Sequence, residues 1–417
     1  MQEFINHLQS HWLIYLILPL ISAFIGWGTN VLALKMTFYP IEFIGFQFKG
    51  FKAVGWKGLP PIGWQGIIPS KATTMASKAT DMITSKLIDV EDQFARINPA
   101  IVAKEMESSI LRLAREVTND VMKEHVPLWK VLSKKQKEKI YSRAAEEIPG
   151  VIEEIMEEVK VNITEVFDLK AMAVAHLENN KELLNRIFLE VGDKEFSFIE
   201  KSGFYFGFIF GLVQAYVFIA FEAHWTLPIG GLLVGYLTNV LALRMIFSPT
   251  HPINFFGWKI QGLFIKRQVE VSSGYAKLIS DNIMTMDNVF TEMFNGEGAD
   301  KLIKIITKHS QDGIDKAAGF NSSIIKFTSG TDTYDQIRTV AVNRFIEAAP
   351  EQIQIVFGYA KQALDIEETM VSRMTSLPPD EFVNFLRPVF QEDEWKLVLT
   401  GALLGMVAGF LQLLTAI

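Results

Sequence analysis

Four stretches of this chain carry no Asp, Glu, Lys, Arg or His: Trp12 to Leu34, Ser202 to Phe221, Trp225 to Leu243 and Leu397 to Ile417. Each holds at least 19 residues. About 20 apolar residues in helical form cross the ~30 Å hydrocarbon layer of a bilayer. Inside that layer a backbone must satisfy its own N–H and C=O groups, so segments of this kind are expected as helices. The first run is too long for the apolar core of a signal peptide, and no Ala-x-Ala-like site follows it. The segments between the runs are ordinary in polarity. Charged residues make up 21% of the 417 and hydrophobic residues 49%, a mixture of greasy spans and water-facing domains.

Four crossings place both termini on one side. Lys35, Lys49, Lys52, Lys57, Lys194, Lys201, Arg244, Lys259, Lys266, Arg267 and Lys396 flank the spans on the other side. The short connection between the second and third spans carries Glu222 and His224, and the N-terminal tail carries no Lys or Arg. An excess of Lys and Arg marks the cytoplasmic face. The expected topology therefore has both large polar segments in the cytoplasm and both termini outside.

The chain is written twice. GWGTNVLALKMTFYP, Gly26 to Pro40, returns as GYLTNVLALRMIFSP, Gly235 to Pro249, with 10 of 15 positions identical. The closing spans match too: GFYFGFIFGLVQ from Gly203 aligns with GALLGMVAGFLQ from Gly401. GIIPSK at Gly66 and GLFIKR at Gly262 are a weaker echo, as are Pro149 and Pro350. Repeat 1 is read as residues 1–222, with spans 12–34 and 202–221 around a cytoplasmic helical lobe at 38–201. Repeat 2 is read as 223–417, with spans 225–243 and 397–417 around a lobe at 249–396. Both copies start on the same side, so they are parallel tandem repeats.

Period and punctuation predict an all-α chain. Met75, Ala79, Met82, Ile83, Leu87, Val90 and Phe94 form one amphipathic face, and Asn98-Pro99 opens the next helix. Pro149-Gly150 and Pro350 are expected to punctuate later helices. After each opening span comes an aromatic, glycine-rich stretch read as a short β or interfacial segment. The first carries Phe48, Phe51 and Trp56 among Lys49, Lys52 and Lys57, a composition suited to lipid headgroups.

No recognised catalytic pattern is present. The chain lacks a phosphate-binding Gly-x4-Gly-Lys-Ser/Thr loop, a Gly-x-Ser-x-Gly elbow and a His-Glu-x-x-His helix. It has no cysteine, which removes disulfides and thiolate chemistry, and its net charge of −7 argues against nucleic acid. Glu153, Glu154, Glu157 and Glu158 read as a solvated face. No catalytic residue, metal or cofactor is expected.

The polar residues inside the spans are the candidates for function or packing. Thr29, Asn30, Thr238, Asn239, Gln214 and Gln412 must find partners in hydrocarbon, by binding a ligand or by bonding between helices. Lys35, Lys71, Arg244 and Arg267 are the candidate contacts for lipid headgroups. Gly203, Gly207 and Gly211, with Gly401, Gly405 and Gly409, form two ladders that let a neighbouring helix approach closely.

Gly-Trp-x-Thr-Asn-x-Leu-Ala, Gly-x-Ile-Pro-Ser-Lys, the Val191-Gly192 and Lys194-Glu195-Phe196 approach to the second span, and the Gly-x3-Gly-x3-Gly-x2-Gln ending together resemble one family. It is the bacterial membrane-protein family catalogued as domain of unknown function 445. The resemblance covers nearly the whole chain and places the family's recurring positions on Thr29, Asn30, Pro69, Lys71, Gly207, Gly211 and Gln214. The second copy departs from it at Ile265 and Leu237. It implies a bacterial inner-membrane location and carries no activity with it. The expected function is non-enzymatic: organising or binding membrane lipid or another amphiphile, with helical lobes offered to cytoplasmic partners. The alternative is a transporter or channel with a path between the repeats, working as an oligomer. Membrane lipids are the expected partners, together with a second copy of the chain or a cytoplasmic protein.

Overall fold

A computed structural model of the chain describes residues 2–46, 62–221, 223–255, 257–319, 330–387 and 394–416. Among the described residues the protein is all-α apart from two short hairpins, and it divides into two compact units. The first takes Met1–Met82, Ala175–Tyr275 and Val371–Ile417, and the second takes Ile83–Val174 and Ala276–Met370.

Among its described residues the first unit holds four helices long and apolar enough to cross a membrane: α1 (Gln2–Phe38), α10 (Asp193–Phe221), α11 (Thr226–Phe247) and α20 (Glu394–Ala416). α1 packs along α10, and α11 packs along α20. Their outer faces carry large exposed apolar residues, among them Phe24, Tyr205, Leu212, Leu233, Val407 and Leu414. Water would not tolerate so continuous an apolar surface, whereas lipid requires it.

The same devices follow α1 and α11. A cis peptide precedes Pro40 and Pro249. Antiparallel hairpins come next: β1 (Ile44–Phe46) with β2 (Ile62–Trp64), and β3 (Ile253–Phe255) with β4 (Trp258–Ile260). The Gly66 amide donates to the Pro40 carbonyl and the Gly262 amide to the Pro249 carbonyl, both at 2.9 Å. Gln65 donates to the Ile41 carbonyl at 2.7 Å, and Gln261 to the Thr250 carbonyl at 3.0 Å. One-turn helices α2 (Ile67–Ser70) and α12 (Leu263–Lys266) then lead into α3 (Ala72–Met82) and α13 (Gln268–Asn282). The lysine-aromatic stretch from Phe48 to Lys57 lies outside the described residues. Before the closing spans, α9 (Lys181–Val191) buries Leu184, Ile187 and Phe188, and α19 (Pro379–Leu386) buries Phe382, Val383 and Phe385.

The second unit is a helical assembly built from both copies. α5 (Pro99–His125), α6 (Lys134–Val161), α15 (Ala299–Ala318) and α16 (Thr331–Ile353) are its long members. α5 packs on α6, α6 on α15, α15 on α16 and α16 on α5, which closes a ring. Val117, Val121, Val126 and Trp129 of the first copy share a core with Ile337 and Ala341 of the second. The polar segments thus do not stand as two lobes. A single antiparallel pair covers only part of each amphipathic face, and the other copy's helices cover the rest.

Two local expectations change. The face from Met75 to Phe94 is not one helix. A π-turn at Ile83–Leu87 and a new N-cap interrupt it: the Asp89 carboxylate accepts from the amides of Glu91 and Asp92, which starts α4 (Val90–Ala95). Pro149 and Pro350 lie inside α6 and α16 rather than ending them. α6 is held between α5 and α15, so packing outweighs the lost amide bond. Asn98 does cap α5, accepting from the Ala100 amide at 3.0 Å.

Candidate functional site

The span residues resolve into matched pairs. Asn30 is wholly buried and donates through Nδ2 to the Ile199 carbonyl on α10, at 2.7 Å. Asn239 donates to the Leu397 carbonyl on α20, at 3.0 Å. The donors are related by the register of the opening spans and the acceptors by that of the closing spans, so one bond is made twice. Thr29 and Thr238 turn back on their own helices, onto the carbonyls of Gly26 and Gly235. Gln214 accepts from Ser22 at 3.1 Å and donates to the Leu227 carbonyl at 3.3 Å, which links α1, α10 and α11. Gln412 is buried in α20.

The glycine ladders sit at these same seams. A methyl group added to Gly207 would stand 2.5 Å from the Ser22 carbonyl oxygen, and one on Gly211 2.7 Å from Pro19 Cα. One on Gly409 would stand 2.7 Å from Pro228 Cα, the position matching Pro19. Gly203 lies against Gly26 and Asn30; Gly401 lies against Gly235 and Asn239; Gly405 lies against Gly231. The helices touch backbone to backbone, which leaves the amides no room to line a path between α1 and α10 or between α11 and α20.

Arg267 does not face outward. Its Nη1 lies 2.6 and 2.5 Å from the two oxygens of Glu195, a carboxylate only 1% exposed, and its Nε donates to Glu270 at 2.9 Å. Lys194 approaches Glu270 at 2.5 Å. Hydrogen bonds from Arg267 and then Lys194 hold the Glu270 carboxyl down at about 2. Arg267 therefore joins the start of α13 to the start of α10, and this is a structural tie, not an open headgroup contact. Lys71 is half-buried at the matching turn of the first copy, and Lys35 is exposed in the last turn of α1.

Arg244 is different. It is exposed in the last turn of α11 and borders a crevice of about 690 Å³ where α11 and α20 meet at their polar ends. Arg387, Glu394, Tyr236 and Trp395 line the same crevice, with Val240, Leu243 and Val398 below them. Arg387 reaches Glu394 only at 3.6 Å, and its buried Nε has no hydrogen-bond partner among the described residues. No ion pair of Arg244 occurs among the described residues. Two guanidinium groups whose pairing among the described residues is incomplete thus border a cleft that has aromatic edges and an apolar floor. Planar N–H forks of this kind bind phosphate oxygens well.

The matching place in the first copy is lined differently. In the repeat register, Arg387, Glu394 and Trp395 match Leu189, Phe196 and Ser197. The Phe196 ring packs edge-on against Phe38 at 5.2 Å. Arg387, Glu394, Trp395 and Tyr236 were not among the sequence candidates. Arg387, Glu394 and Trp395 differ between the copies, so the duplicated motifs do not mark them.

Comparison with known proteins returns membrane proteins of an uncharacterised family. A UPF0754 membrane protein of Synechococcus sp. (strain JA-2-3B'a(2-13)) is 34% identical over 74 residues, 17% of this chain and 18% of that protein. UPF0754 membrane proteins of Staphylococcus aureus strains JH9 and Newman are 26% identical over 160 residues, 37% of this chain and 38% of theirs. The matched part of the chain thus spans only 18 to 38% of the length of these curated relatives. No family model matches the chain, and no solved structure matches it. The chain is therefore similar, over part of its length, to uncharacterised membrane proteins of two bacteria.

Proposed function

We propose that this protein is a non-enzymatic component of a bacterial inner membrane that binds an anionic phospholipid at the Arg244–Arg387 crevice. The observation that carries the reading is the pairing of two under-partnered guanidinium groups with Trp395 and Tyr236 at the ends of two spans. Aromatic rings of this kind sit at the headgroup level, the cations take the phosphodiester, and the apolar floor takes the first methylenes of the acyl chains. The resemblance to the family of domain of unknown function 445 and the Lys/Arg bias around the spans support the inner-membrane placement, with the crevice on the cytoplasmic side. The packing of Asn30 and Asn239 favours this reading over a conduit between the repeats, since each amide nitrogen is bonded to a neighbouring helix.

The test is native mass spectrometry of the full chain released from vesicles of phosphatidylglycerol and phosphatidylethanolamine. The wild type is expected to retain phosphatidylglycerol, and Arg244→Gln with Arg387→Gln to lose it. Equal retention by both proteins would remove the proposal.

A further inference from the structure

Among the described residues that line the crevice, Glu394 is the one carboxylate, and it stands with two guanidinium groups, Arg244 and Arg387. It opens α20, where the free amides of a first helical turn favour an anion. That setting suits a carboxylate at this turn but does not account for its place beside two arginines. Nor does the repeat require it, because the first copy has Leu189 and Phe196 where the second has Arg387 and Glu394.

A closed ion pair in the same unit gives the contrast. Arg267 meets both oxygens of Glu195 at 2.6 and 2.5 Å, and that carboxylate is 1% exposed. Arg387 stays 3.6 Å from Glu394, whose side chain is 24% exposed. That distance lies beyond a good hydrogen bond. The second pair is therefore open, and its carboxylate contributes a negative charge to the crevice without locking Arg387.

Charge then decides what the crevice accepts. Its described lining groups carry a net +1. A phosphodiester with an uncharged head bears one negative charge and brings the whole to neutrality. A phosphomonoester bears about −1.5 to −2 at neutral pH. Its second charge would face Glu394 above an apolar floor, where like charges repel more strongly than in water.

We infer that Glu394 selects the lipid by charge: it admits a phosphodiester monoanion and turns away the phosphomonoester of phosphatidate, which two arginines alone would hold. This inference rests on the reading of the crevice as a lipid site.

The experiment offers the full chain phosphatidylcholine vesicles that contain equal parts of phosphatidylglycerol and phosphatidate at neutral pH. Native mass spectrometry reads which lipid is retained. The wild type is expected to favour phosphatidylglycerol by about tenfold. Glu394→Gln should raise phosphatidate to at least equal retention, whereas Glu394→Asp, which keeps the charge, should preserve the wild-type preference. An unchanged ratio in Glu394→Gln would overturn the role of Glu394 and leave the lipid site standing. Loss of the preference in both variants alike would also overturn it, since the side chain would then act by shape and not by charge. Equal retention of the two lipids by the wild type would do the same without any variant having to fold. Retention of neither lipid by the wild type would instead remove the crevice reading, and this inference with it.

Discussion

A carboxamide placed in hydrocarbon loses its water partners, and its free energy rises unless the protein replaces them. Asn30 and Asn239 recover one N–H bond each, on the carbonyls of Ile199 and Leu397. Bonds of this type between membrane helices are worth roughly 0.6 to 2 kcal/mol. Asn30→Ala and Asn239→Ala should each lower stability by about that amount, to similar extents, in thermal unfolding of the detergent-solubilised chain. A loss at one position only would show that the copies do not share the bond. Arg267 is held more strongly, because Glu195 is almost completely enclosed. Removing one partner of a buried ion pair costs about 3 to 5 kcal/mol, and Arg267→Ala should fall in that range in the same assay. The two asparagines were legible in the sequence because the motif around them is duplicated. The burial of Arg267 was not, since its partner lies 72 residues away in the other copy and no local pattern links them.

At the scale of elements, the glycine ladders set how closely α1 meets α10 and α11 meets α20. Gly207→Leu or Gly405→Leu must push a neighbouring backbone aside, and overpacking of this kind costs about 1 to 3 kcal/mol or more. A reduced thermal midpoint for both variants is the expected result, and an unchanged midpoint would contradict the close approach. In the second unit, α6 and α15 meet through Glu154, Glu158, His309, Lys308 and Lys316. The hydrogen bonds from Lys316 to Glu154 and from Lys308 to Glu158, with His309 second in each case, lower both carboxyls. A carboxylate lowered by folding contributes stability above its unfolded pKa and loses it as pH falls through its folded one. Amide hydrogen exchange in α6 and α15 should therefore speed up as pH drops below the ordinary carboxylate range, after correction for intrinsic rates, and His309→Gln should flatten that response. The helices themselves were readable from their apolar spacing. The cap at Asp89 and the continuity of α6 through Pro149 were not, because the first breaks an uninterrupted apolar face and the second depends on packing from both sides.

For the whole molecule, duplication and compactness follow different lines. The repeats divide the sequence near residue 222, while each compact unit draws segments from both copies. The spans and the hairpins keep the repeat in detail, down to Gln65 and Gln261 on matching carbonyls. A copy-by-copy reading located these well. It separated the polar segments into two lobes because a single sequence does not show which amphipathic faces meet.

One divergence between the copies fixes a number. In the first half Phe196 packs on Phe38 where the second half sets Glu394 in the crevice beside Arg387. A titration of phosphatidylglycerol into the delipidated chain should thus saturate at a stoichiometry of one, an odd valence for a polypeptide assembled from two equivalents.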